Sequence, residues 1–333
     1  MILIIITVIL LVISIFMIIS LRKKKVDTDA TKVKIGITTK TPFDSTSSEI
    51  IALDSVLKSN LQEKLNEVLE SQYADITPIS AGGMGVIYSA FDKTNKRKVA
   101  IKTVLPELKS DPRAVKLFFD ECNAIKKMNH PNVVRILDVS NNEELYYYVM
   151  EALEGENLKK MVRNKGKLSY DLVIKIGTQV SRALQHCHDN RVIHRDIKPS
   201  NIFFTDKGVA KIIDFGIVKL LTNDTAVNLG TTKIGSPEFA SPEQLQGQPI
   251  SGKSDVYSLG ICLYYVASGK MPFTSGIVSQ MFDKPRDIKE FCPDMPQDLE
   301  KVIYDCIQLN PAERPRAHEI WARLRNIKLP KPK

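Results

Sequence analysis

Cysteine is scarce in this chain and scattered. Cys122, Cys187, Cys262, Cys292 and Cys306 lie far apart, and no CxxC pair occurs. That spacing argues against a zinc ribbon or a disulfide-stapled scaffold and reads as buried or free thiols in a reducing compartment. No basic run is interleaved with aromatics, so nucleic acid is not an expected partner despite a formal charge of +9; a membrane-proximal cluster and a solvated surface account for it. Internal repeats and low-complexity tracts are absent too, which excludes a solenoid. Charge is missing altogether from Ile2–Leu21, where only Thr7, Ser14 and Ser20 are polar.

Twenty uncharged residues at 1.5 Å each make a helix of roughly 30 Å, the thickness of a bilayer's hydrocarbon core. Arg22-Lys23-Lys24-Lys25 follows directly, and four cations place that end in the cytoplasm. A cleaved signal peptide has its basic residues before a shorter apolar run, so residues 1–21 are expected to be a single-pass transmembrane helix. Residues 22–48, basic and then rich in Thr, Ser, Lys and Asp, read as a flexible linker. In Glu49–Ser71 the apolar residues Ile50, Leu53, Leu57, Leu61, Leu65 and Val68 recur at helical steps. This amphipathic helix either packs on its own domain, the favoured expectation, or serves dimerisation and docking. About 260 residues remain, enough for a sizeable core, with an ordinary globular balance of 43% hydrophobic and 26% charged residues.

The most informative stretch is Val192–Gly216, VIHRDIKPSNIFFTDKGVAKIIDFG. Two apolar runs flank a polar turn at Thr205–Gly208, which predicts a short hairpin. Asp196 precedes it, Asp214 follows it and Asn201 lies between. Two acids and an amide converging on one point suit a cation-assisted transfer of a charged group, with one carboxylate and the amide on metal and the other carboxylate orienting a hydroxyl. From Ile76, strand-like runs flank a glycine-dense turn. Gly82, Gly83 and Gly85 let backbone N–H groups approach phosphate oxygens, and Val99-Ala100-Ile101-Lys102 puts an ammonium on the third strand within their reach. Asp111-Pro112 starts a helix whose stripe is Val115, Phe118, Phe119, Cys122, Ile125 and Met128. Glu121 lies on the inner edge of that stripe and is expected to pair with Lys102.

His194-Arg195-Asp196-Ile197-Lys198-Pro199-Ser200-Asn201 and Asp214-Phe215-Gly216, in order and at hairpin spacing, resemble the catalytic loop and metal-binding segment of eukaryotic-type (Hanks-type) serine/threonine protein kinases. Lys198 resembles the serine/threonine branch, and the GGMG loop and SPEQ resemble its bacterial members. The resemblance covers about Tyr73–Lys328 and implies an α+β bilobal fold: a small antiparallel β-sheet N-lobe with one long helix at 72–151, and a larger, mainly helical C-lobe at 152–328, with 329–333 a tail. It implies ATP and Mg²⁺ as cofactors, with Mn²⁺ as an alternative metal, and proteins with Ser/Thr acceptors as partners.

By the same resemblance Asp196, Lys198, Lys102 and Glu121 are catalytic, and Asn201 and Asp214 hold metal. Ser80, Ala81, Gly82, Gly83, Met84, Gly85, Ile87, Ala100, Lys102, Met150, Glu151, Leu153 and Asn201 contact the nucleotide, Glu151 and Leu153 through their backbone. Ser80 departs from the family's first loop glycine and Ile87 from its valine. Gly235–Phe239 and Ser241-Pro242-Glu243 resemble the activation and docking segments, with Ser236 where threonine is usual. Thr225, Thr231 and Thr232 are either phosphorylation sites, which Arg195 would pair, or loop solvation. Asp255 is expected to tie its helix to the backbone at His194-Arg195, and Arg314 to pair with Glu243. Ser169 is expected to cap a long helix striped by Leu172, Ile176, Val180, Ala183, Leu184 and Cys187, with His186 and His188 on the surface. The anchor comes before the kinase-like region and no sensor follows it, so the cell membrane with the domain in the cytoplasm is the expected location. Activation in trans by self-association is an open alternative. A pseudokinase scaffold, a small-molecule phosphotransferase and a membrane adaptor are the competing readings; the scaffold's hallmark is loss of the lysine, the base or the metal acid, and none is lost.

Overall fold

Side-chain alternation along two strands organises the smaller lobe. On β3 (Arg97–Thr103) and β5 (Leu145–Glu151), Val99, Ile101, Leu145, Tyr147 and Val149 point to one face and Ala100, Lys102, Tyr146, Tyr148 and Met150 to the other. In this computed structural model both strands belong to a five-stranded antiparallel sheet with β1 (Tyr73–Gly82), β2 (Gly85–Asp92) and β4 (Ile136–Asn142), in the order β1-β2-β3-β5-β4. The structure describes residues 63–82, 85–103, 112–142, 145–216, 237–274 and 277–329. The expected membrane helix, the linker, the first part of the Glu49–Ser71 helix, Gly83, Met84, Asp111 and the loop bearing Thr225, Thr231, Thr232, Gly235 and Ser236 lie outside them, as does the tail from residue 330. Among the described residues no helix is long and apolar enough to cross a membrane.

Each face of the sheet is covered by a helix. Residues 63–69 form α1, which buries Leu65 and Leu69 to 0% and 1% exposure against Val86, Tyr88, Val99, Ile101, Tyr147 and Val149. The end of the amphipathic stripe therefore packs on its own domain. The other face receives α2 (Pro112–Lys126), whose Phe118, Cys122 and Ile125 enter the main core with Tyr148 and Met150.

Beyond β5, Gly155 has φ +133° at the turn into β6 (Gly155–Asn157), and a Cβ there would lie 2.3 Å from the Phe204 carbonyl oxygen, so only glycine fits. Helices α3 (Leu158–Lys165) and α4 (Tyr170–Asp189) follow, and α4 buries the predicted stripe of Ile176, Val180, Ala183, Leu184 and Cys187. Ser169 stands at its N-cap but makes no side-chain cap bond. The predicted hairpin is β7 (Ile202–Thr205) and β8 (Ala210–Ile212), joined through Gly208 at φ +76°. After α5 (Pro242–Leu245), α6 (Gly252–Ser268) is apolar on nearly every side and runs through the middle of the larger lobe. With α7 (Ile277–Phe282), α8 (Gln297–Cys306) and α9 (Ala317–Asn326) it completes a helical layer in which α4 packs on α6 and α9.

Candidate active site

The hairpin fixes the larger lobe's half of the site. Register pairing of Ile202 with Ile212 and the Ile213 N–H to Asn201 O bond of 2.9 Å place Asn201 beside the segment leading to Asp214. The Asn201 amide nitrogen donates to Asp196 Oδ2 at 2.8 Å, to the Asp196 carbonyl at 2.9 Å and to the Asp214 carbonyl at 3.4 Å. Lys198 Nζ approaches the same Asp196 Oδ2 at 2.8 Å. A buried carboxylate is tolerable only when so bonded. Gly216 donates its N–H to the His194 carbonyl, and a Cβ on it would sit 3.2 Å from Asp196 Cβ and from that carbonyl.

Backbone strain marks the same place. Arg195 at φ 64° and Asp214 at φ 55° adopt the left-handed region, which costs an L residue roughly 1–2 kcal/mol. Asp255, 1% exposed, restrains that segment: its Oδ2 accepts from the His194 N–H at 2.9 Å and its Oδ1 from the Arg195 N–H at 2.8 Å. His194 is wholly buried, and burial pushes its pKa down. Neutral, it donates from Nε2 to Ile213 O at 3.0 Å and accepts the Asp196 N–H at Nδ1, a tautomer assigned from those partners.

The smaller lobe supplies an ammonium. Lys102 reaches across to Asp214 Oδ1 at 2.9 Å, so the predicted lysine and metal acid are in direct contact. The predicted Lys102–Glu121 pair is not formed. Glu121 Oε1 bonds Arg195 at 2.9 Å instead. The physical reason is reach: Lys102 is held by Asp214, while the Arg195 backbone is pinned by Asp255 and by Gln244 on its carbonyl, which aims the guanidinium at α2. Burial raises the Glu121 pKa against the pull of Arg195. Glu121 Oε2 and Arg195 Nε are buried with no hydrogen-bond partner among the described residues.

Of the predicted nucleotide-contacting residues, Ser80, Ala81, Gly82, Gly85, Ile87, Ala100 and Lys102 lie on β1, β2 and β3, and Met150 and Glu151 on β5. Ser80 pairs with Ile87, Ala81 with Val86 and Gly82 with Gly85 across the β1–β2 turn, and Ile87 pairs with Lys102. Ala100 and Met150 are buried register partners on the inner face. Leu153 is half-buried against the core. The Glu151 N–H donates to Arg135 O at 3.0 Å, so any backbone contact from Glu151 to a base falls to its carbonyl.

The predicted metal donors would be hard oxygens, the Asp214 carboxylate and the Asn201 amide oxygen, whose nitrogen is committed to Asp196. Among the described residues no group of three or more His, Cys, Asp or Glu is placed to hold a metal ion by itself. Two protein oxygens, with phosphate and water filling the other positions, fit a Mg²⁺-like cation rather than a structural zinc.

Several neighbours were not legible in the sequence. Tyr148, read only as part of an apolar strand, directs its hydroxyl to Asp214 Oδ1 at 3.5 Å; its phenol pKa is raised well above the ordinary value by burial and then by Asp214. The alternating register with Lys102 was the available signal. The Glu151 side chain bonds Lys211 at 2.7 Å and the Arg135 N–H at 2.8 Å. The expected surface position of His186 and His188 is corrected: both are half-buried, His188 bonding Asp255 at 2.9 Å and His186 stacking on His130 at 5.1 Å. Arg314 and Glu243 pair as expected, through two bonds of 2.7 and 2.9 Å.

Comparison with known proteins agrees with this geometry. The protein kinase domain model matches residues 73–323. A protein named as a probable serine/threonine-protein kinase from Clostridium acetobutylicum is 36% identical over 270 residues, 79% of this chain and 41% of that protein. Serine/threonine-protein kinase PrkC of Bacillus subtilis is 33% identical, covering 74% of this chain and 39% of its own length. The chain thus spans about two-fifths of those relatives. The kinase domain of Mycobacterium tuberculosis PknI superposes with a TM-score of 0.63 at 21% identity, over 76% of this chain and 95% of that one, and shares the fold. The chain belongs to the protein kinase family.

Proposed function

We propose that this chain is a membrane-anchored serine/threonine protein kinase that transfers the γ-phosphate of ATP to Ser/Thr hydroxyls of proteins and uses Mg²⁺. One observation carries the reading: Lys102, from the smaller lobe, lies 2.9 Å from Asp214, while Asn201 bonds both the Asp196 side chain and the Asp214 backbone. The ammonium, both acids and the amide therefore form one connected set.

Asp196 is placed to orient an incoming hydroxyl and accept its proton. Lys198, on the same carboxylate oxygen, offsets charge on the transferred group. Lys102 holds the nucleotide phosphates, and the glycine turn brings backbone N–H groups to them. Asp214 and Asn201 would hold the divalent cation, which supplies charge neutralisation on the phosphoryl oxygens. The unpartnered Glu121 Oε2 and Arg195 Nε support one further step: Glu121 exchanges Arg195 for Lys102 when nucleotide binds. That exchange frees Arg195 for a phosphorylated loop threonine, Thr225, Thr231 or Thr232.

Membrane attachment rests on the charge-free Ile2–Leu21 run and the four cations after it, with the kinase domain in the cytoplasm at the cell membrane. Alkaline carbonate is expected to leave the full-length chain in the membrane pellet; release into the supernatant contradicts the anchor. The activity test is autophosphorylation of the full chain with labelled ATP followed by site mapping. Label on Ser or Thr, concentrated in residues 222–236, is expected. No incorporation with any divalent metal favours a nucleotide-binding scaffold, and transfer to small molecules alone favours a different phosphotransferase.

A further inference from the structure

Three consecutive tyrosines occupy β5, and strand alternation separates them: Tyr147 enters the outer core, whereas Tyr146 and Tyr148 face the cleft side. Tyr148 is the register partner of Lys102, so the two side chains leave adjacent strands on the same face. Their polar ends meet on a single atom, Asp214 Oδ1, at 2.9 Å from Lys102 Nζ and 3.5 Å from the Tyr148 hydroxyl. The ring itself is buried and packs 6.3 Å from the Phe118 ring of α2. It fills the space between sheet and helix and cannot turn to solvent.

Both donors restrain Oδ1 here, and once Lys102 turns to the nucleotide the Tyr148 hydroxyl is the one of the two that stays on the carboxylate. A carboxylate restrained at one oxygen presents the other in a defined direction, which is how neighbouring hydrogen bonds raise the affinity of a ligand set. We propose that Tyr148 is a positioning residue for the metal-binding carboxylate: its hydroxyl holds Oδ1 so that Oδ2 faces the cation. This rests on reading Asp214 as a metal ligand. A tyrosine that served only packing would lose nothing but stability when its hydroxyl is removed.

Mn²⁺ titration of the detergent-solubilised full chain, followed by electron paramagnetic resonance with a non-hydrolysable ATP analogue present, separates the two roles. In Tyr148→Phe the Mn²⁺ dissociation constant is expected to rise about three- to tenfold, below the roughly 10–100-fold typical of such losses because the bond is long. Binding of the analogue without metal is expected to stay unchanged. An unchanged Mn²⁺ constant, or equal weakening of metal-free nucleotide, overturns the proposal. If Tyr148→Phe folds poorly, Tyr148→Gln against Tyr148→Leu isolates the donor, since both lack the ring; Gln is expected to bind Mn²⁺ more tightly, and equal binding overturns the role. A wild-type chain that binds metal and nucleotide but transfers no phosphate refutes the proposed activity alone, and the tyrosine's role is still read from binding. A chain that binds neither refutes both.

Discussion

Among the described residues, the glutamate–arginine pair Glu243–Arg314 is buried and the pair Glu121–Arg195 is half-buried, and they are built differently. Glu243 and Arg314 meet through both oxygens and two guanidinium nitrogens; Ser254 adds a 2.6 Å bond to Glu243, and Arg314 spends its remaining donors on the carbonyls of Gln308, Lys253 and Leu309. Glu121 and Arg195 share one 2.9 Å contact and leave Oε2 and Nε unpartnered. The titration of the two carboxylates diverges accordingly. Burial disfavours ionisation of both. At Glu243 the bonds from Arg314 and Ser254 outweigh it and the pKa falls; at Glu121 burial outweighs Arg195 and the pKa rises. A fully bonded pair is a fixed strut of the larger lobe, whereas the half-bonded pair leaves Oε2 and Nε open for the partner exchange proposed above.

The comparison can be broken in several places. Asp196→Asn, on the fixed side, is expected to lower kcat by about 10²–10⁴-fold with the melting temperature nearly unchanged; retained turnover removes Asp196 from the chemistry. Arg314→Leu strands a buried carboxylate and is expected to cost about 3–5 kcal/mol in chemical denaturation. Glu121→Gln is expected to cost under about 1 kcal/mol in the same assay, because one oxygen is already unmatched, yet to lower kcat/KM by about 10²-fold by leaving Lys102 unsteadied.

The smallest effect is the sharpest in sign. Glu243, with a lowered folded pKa, stabilises the fold above its ordinary value of 4.5, and that contribution is lost as pH falls through the folded value. Glu121, with a raised folded pKa, is most favourable below 4.5 and loses that contribution as pH rises through its folded value. Denaturation midpoints of Glu243→Gln and Glu121→Gln between about pH 3 and pH 7 should therefore diverge from the parent with opposite slopes; slopes of the same sign contradict the distinction.

The sequence made the fixed parts plain. The hairpin around Thr205–Gly208, the strand carrying Lys102 and the α4 stripe are local patterns with periods of two or 3.6, and each appears where expected. So do Asp255 beneath His194-Arg195 and the Arg314–Glu243 pair. What escaped was partner choice among groups that all lie within reach. Glu121 sits on the expected edge of α2, but sequence cannot rank Arg195 against Lys102, because that depends on where Asp214 places the ammonium. Tyr148 escaped for a related reason: a tyrosine inside an apolar strand reads as core until its hydroxyl's partner, 66 residues away, is known. Half-burial of His188 likewise depends on Asp255, 67 residues further on.

The most direct test of an exchangeable pair beside a fixed one is a crystal structure of the chain with a non-hydrolysable ATP analogue and Mg²⁺. The account predicts Glu121 within hydrogen-bond distance of Lys102 and parted from Arg195, with both Glu243–Arg314 bonds unchanged. Glu121 still on Arg195 while Lys102 holds the phosphates would contradict it.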